Sequence, residues 1–104
     1  MIADARQFTF TAAGNAEFSA PNGALYYAIA VTGVGAAASA WDVDLDATLD
    51  GTNWTTLDTH ANTDGDGVVL YTTTPTIAKN LRVILNSVTL GSATAVEVRV
   101  LAGG

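Results

Sequence analysis

The stretch from Trp41 to Thr55 constrains the fold more than any other, because apolar and polar side chains alternate without a break until a turn interrupts them. Trp41, Val43, Leu45, Ala47 and Leu49 fall on one face of a strand, and Asp42, Asp44, Asp46 and Thr48 fall on the other. A period of two belongs to a strand; a helix would scatter both sets around its axis. Asp50-Gly51-Thr52-Asn53 then predicts a reversal, since Gly51 takes positive φ cheaply and short Asp and Asn side chains hydrogen-bond a turning backbone. Trp54 to Asp58 returns as the second arm of a hairpin, and Trp54 is expected to pack across from Leu49.

The same period recurs along the chain. Gln7 to Thr11 turns Phe8 and Phe10 inward, Gly14-Asn15 marks a turn, and Ala16 to Ala20 forms a short partner strand around Phe18. After Pro21-Asn22-Gly23, Leu25, Tyr27, Ile29 and Val31 share one face, while Tyr26, Ala28 and Ala30 give a second face that is apolar too. His60 to Gly67 reads as a polar loop and Val68 to Thr72 as a strand that Pro75 stops. Leu81, Val83 and Leu85 alternate in the next strand, and Val96, Val98 and Val100 point inward in the last, with Glu97 and Arg99 outward. About eight strands at this spacing predict an all-β fold, a single-domain antiparallel β-sandwich or barrel. Met1 to Gln7 is expected to be an N-terminal arm, and residues 8–104 the domain.

Composition narrows the partners. A chain of 104 residues buries roughly 60–70% of its unfolded surface and needs no staple. Cysteine is absent, which removes thiolate metal sites and cysteine nucleophiles, and His60 is the single histidine. Ten acidic against four basic residues give a formal charge of −6, which repels a phosphate backbone, so nucleic acid is excluded as a partner. Only 13% of residues are charged while 49% are apolar, so part of the surface is expected to be covered by another chain. The apolar run Ala24 to Ala40 is broken by Thr32, Gly33 and Gly35 and reads as strand and loop, not a membrane span. MIADARQ lacks the cationic start and long apolar stretch of a secretory signal, so synthesis in the cytoplasm and no membrane partner are expected.

Several polar features compete as sites. Asp42, Asp44 and Asp46 stand about 7 Å apart on one strand face, so they need solvent, a cation or a basic partner. A solvated face that blocks sheet-to-sheet association is the simplest reading, and contact with a basic surface is the alternative. Asn62, Asp64 and Asp66, followed by Gly67, resemble the opening of a calcium loop with alternating oxygen ligands. Thr73 stands where the bidentate Glu belongs, and Asn, Asp and Gly also make ordinary turns, so calcium is the minor reading and no other cofactor is expected. His60 and Asp58 lack a nearby nucleophile and read as loop and strand residues. Trp41 and Trp54 are expected in core or rim packing, and an aromatic sugar platform is the alternative. Tyr26 is the better contact residue, and Arg82 is expected to pair with Glu97 across the sheet. No nucleophile and base come together, so the chain reads as a non-enzyme.

With these residues in view, the run LDGTNWTTL (Leu49 to Leu57), the run Ile77 to Gly103 and the Thr/Ala/Gly-rich framework resemble small β-sandwich virion proteins of tailed bacteriophages. Among these the chain is most similar to head decoration, or cement, proteins. Similar hairpins occur in tail proteins and in galactose-binding-like modules. The resemblance implies a protein on the capsid exterior that binds the major capsid protein and copies of itself, as a homotrimer, and stabilises the shell. It hands over no functional residue set. The alternatives are a glycan-binding module or a tail-tube, connector or baseplate component of a phage tail. A small chain without a linker is expected to act as a self-sufficient unit. Ile2 and Arg6 of the arm, Tyr26, and the ladder of Asp42, Asp44 and Asp46 are the expected protein contacts.

Overall fold

The hairpin predicted from Trp41 onward is the centre from which the architecture grows. The computed structural model describes residues 3–62, 67–71 and 75–104. Among them run β1 (Ala3–Phe10), β2 (Gly14–Ser19), β3 (Tyr26–Val34), β4 (Ala40–Thr48), β5 (Trp54–Asn62), β6 (Gly67–Tyr71), β7 (Asn80–Thr89) and β8 (Ala95–Gly103). β4 pairs with β5 across the turn; moving outward along the chain, β3 pairs with β6, β2 with β7 and β1 with β8, all antiparallel. The chain is therefore one long hairpin, rolled up so that its rungs fall into two sheets ordered β1-β8-β3-β6 and β2-β7-β4-β5. This is the pairing pattern of an eight-stranded jelly-roll β-sandwich.

The inner faces carry the core. Tyr27, Ile29 and Val31 of β3 and Val96, Val98 and Val100 of β8 meet Trp41, Val43 and Leu45 of β4 and Leu81, Val83 and Leu85 of β7, all buried. These are the residues whose alternation marked the strands, and β-branched side chains fit the pleat of a half-buried sheet. Three bulges interrupt the described ladders, one between Leu45 and Asp46 against β5, one between Asp42 and Val43 against β7 and one between Ile29 and Ala30 against β6. The first places Leu57 as the extra residue, packed against the core.

Four expectations change here. Residues 3–7 are not an arm, because they form the first part of β1, in register from Ala3 opposite Gly103 to Gln7 opposite Arg99. β1 and β2 do not pair with each other; they enter different sheets, and Phe8 and Phe18 meet across the sandwich with ring centroids 5.4 Å apart. Alternation marks a face as buried but is the same whether its neighbour is beside it or across the core. Leu49 is 68% exposed, because β4 ends at Thr48 and the inward parity ends with it. His60 lies within β5, its ring 5.1 Å from that of Trp41, so the strand runs beyond the predicted start of the loop. A polar residue extends a strand when the neighbouring strand offers it a ladder.

Candidate functional site

Three surfaces bring together the polar and apolar side chains left over from the core. The first is the outer face of the β2-β7-β4-β5 sheet, where the acid ladder lies. The register sets Asp46 opposite Arg82 of β7, and Arg82 Nη2 donates to Asp46 Oδ2 at 2.8 Å. The Arg82 guanidinium also lies 4.2 Å from the centre of the Trp54 ring, a cation–π stack. Beneath this cover the Asp46 side chain is 6% exposed, against 27% for Arg82. Asp42 accepts from Asn86 Nδ2 at 3.3 Å, and Glu17 accepts from Asn80 Nδ2 at 3.0 Å.

The ladder is thus not a uniformly solvated row. Asp46 is a buried half of an ion pair, and Asp44 Oδ1, Asp46 Oδ1 and Arg82 Nε are buried without hydrogen-bond partners among the described residues. The expected pair between Arg82 and Glu97 does not form, since β7 and β8 belong to different sheets. Trp54 does not pack against Leu49; it stands opposite Thr48 on the outer face, where Arg82 covers it. Sequence spacing missed this cluster because Asp46, Trp54 and Arg82 converge only through cross-strand register.

The second surface is a cavity of about 400 Å³ at the sandwich end, lined by Ala47, Leu49, Leu57 and Ile77 together with the polar turn. Leu49 and Ile77, 68% and 76% exposed, flank it. Thr48, Asp50 and Asn53 of its polar wall are already engaged in the turn's own bonds. Asp50 Oδ1 accepts from Thr52 N and Asn53 N, both at 2.8 Å, and from Thr48 Oγ1 at 3.1 Å, while Asn53 Nδ2 donates to Asp50 Oδ2 at 2.6 Å. These donors hold the Asp50 carboxyl well below the usual carboxylate range. An acid so strongly stabilised as its anion is a poor base near neutrality, so the Thr48 hydroxyl that donates to it is held in the turn and not activated by it. Asp58, opposite Leu45 on β5, shows the reverse: burial pushes its carboxyl up, and its Oδ2 has no partner among the described residues.

The third surface is the outer face of the β1-β8-β3-β6 sheet, which holds Tyr26 and Leu101, 41% and 46% exposed. Arg6 is exposed on β1 opposite Val100, and its Nη1 donates to Ala5 O at 3.3 Å. By register it lies on the other side of the sheet from Tyr26. Ile2, Asp64 and Asp66 lie outside the described residues, as does the side chain of Asn62 at the end of β5. Among the described residues no group of three His, Asp or Glu side chains is placed to hold a metal ion.

No family model and no curated protein sequence matches the chain. Solved structures share its fold. The SPBc2 prophage-derived protein YomS aligns with a TM-score of 0.63 at 15% identity, over 98% of this chain and 95% of that one. PirA aligns with a TM-score of 0.52 at 14% identity, over 95% and 93% of the two chains. The PBSX exported protein XepA aligns with a TM-score of 0.61 at 10% identity, over 99% of this chain and 37% of that one. At such identities the likeness is one of fold.

Proposed function

We propose that this chain is a non-enzymatic structural protein of a tailed-phage particle, and that it decorates the outside of the head, where it binds the major capsid protein and stabilises the shell. The observation that carries the reading is the end-to-end likeness to a prophage-derived protein, in which each chain covers nearly all of the other. The side-chain chemistry supports it. Asp50 and Asn53, which line the cavity, are spent on the turn that builds it, and the ion pair of the acid ladder is covered by an aromatic ring. What remains for partners is broad sheet surface, the kind that adds buried area between subunits of a shell. Many identical contacts then add up to a large stabilisation of the assembled particle.

The glycan reading is weaker because Trp54, the aromatic best placed for a sugar, already has Arg82 stacked on its ring. Co-sedimentation of the purified protein with capsid shells of the encoding phage tests the proposal. Saturable binding that raises the temperature at which the shells disrupt is the expected result. Absence of shell binding, together with binding to isolated tails, would replace the head assignment with a tail one.

A further inference from the structure

The outer face of the β1-β8-β3-β6 sheet combines exposed apolar side chains with charges that lack opposite partners. Leu101 lies between Ala5 of β1 and Ala28 of β3, with Tyr26 beside it. A sheet face turned to water ordinarily carries polar side chains, so an exposed patch of this kind calls for cover. Further along β8, Glu97 has no hydrogen-bond or ionic partner among the described residues. Arg99 donates to the neutral Gln7 Oε1 at 2.8 Å and meets no carboxylate among them.

We infer that two copies of this chain stack through this face about a two-fold axis that crosses β8 near Val98. The register makes the face its own complement under that operation. Glu97 of one copy comes over Arg99 of the other, twice. The Leu101 and Ala28 end comes over the end that carries Val34, where the half-buried Val34 meets it and Ala95 is already covered within its own chain. Gln7 comes over Thr9 along β1. A two-fold axis parallel to the strands would instead set Glu97 on Glu97.

Charge also selects this face over the other. The opposite sheet carries Glu17, Asp42 and Asp44 on its outer face, and the single base there among the described side chains, Arg82, is already taken by the buried Asp46, so two copies stacked there repel. Stacking one kind of face on the other would not close and would propagate into fibres. With β8 spanning nine residues at about 3.3 Å each, and four strands about 4.8 Å apart, the face measures roughly 30 by 14 Å. That footprint suits a small, reversible interface. The pairing is independent of where in a particle the protein sits, and it takes the place of the three-fold association implied by the virion resemblance.

Light scattering on the full chain from micromolar to near-millimolar concentration tests it. A concentration-dependent dimer is expected. Leu101→Arg should weaken it by about tenfold or more, while Ile77→Arg, at the cavity end, leaves it unchanged. Glu97→Arg should weaken the dimer and the swap Glu97→Arg with Arg99→Glu should restore it. Circular dichroism and melting of each variant confirm that the fold is kept. A monomer at every concentration, a trimer, or a dimer indifferent to Leu101→Arg overturns the inference. So does a monomer that loses particle binding through Leu101→Arg, which would give the face to the particle.

Discussion

At the scale of single residues, the polar groups of the outer sheet face trade solvent for one another, and their energetics follow from how completely they do so. Asp46 is buried under Arg82, so Arg82→Ala strips the carboxylate of its counter-charge and leaves only the water admitted by the lost side chain to solvate it. We expect a loss of about 3 kcal/mol, at the lower end of the range for breaking a buried pair because Arg82 is itself partly exposed. Urea denaturation checks this, and the emission of Trp54 should change as its stacked cation is removed. Asp58 works in the other direction. Burial raises its folded pKa above that of the unfolded chain, so the stability linked to its protonated form is complete below the unfolded value. That stability is lost as pH rises through the raised folded value. Asp58→Asn is therefore expected to be more stable than the parent near pH 7, on the order of 1 kcal/mol, and the gap should close as pH falls. Parallel melts across the acid range measure it.

At the scale of elements, the β4–β5 turn is the best-specified piece of the chain. Gly51 sits at φ 83°, and its N–H donates to Thr48 Oγ1 at 3.0 Å. Asp50 ties the following amides to the same turn. Because the folded pKa of Asp50 is depressed, the stability from its anion is present above the ordinary carboxylate pKa and disappears as pH falls through the folded value. Asp50→Ala should lower the melting temperature at neutral pH and flatten the acid limb of the stability profile. An unchanged acid limb would mean that other carboxylates control it. This turn was legible in the residues Asp50 to Asn53 because its chemistry is local. The partners of β1 and β2 were not legible, because nothing in FTF or EFS specifies which sheet receives them.

At the scale of the whole molecule, the rolled hairpin makes nearly every rung a long-range one, and β1 must find β8 at the other end of the chain. Loop closure then precedes most of the stabilising burial. Stopped-flow refolding is expected on the millisecond-to-second scale of β-sandwiches rather than in microseconds. The same roll divides the described surface into an acidic sheet and an apolar, nearly neutral one, and so gives the molecule two faces of different character.

The sequence by itself determined that the fold is all-β, which side chains of β3, β4, β7 and β8 enter the core, and where the central hairpin turns. Each of these follows from alternation or from hydrogen bonds within a few residues. Only the tertiary structure decided that Asp46 is buried, that Trp54 lies under Arg82, and that Glu97 and Arg99 share a face with Leu101 and Tyr26. Those relations depend on the register between strands distant in sequence. A shift of one residue would turn every side chain to the opposite face while leaving the sequence pattern unchanged.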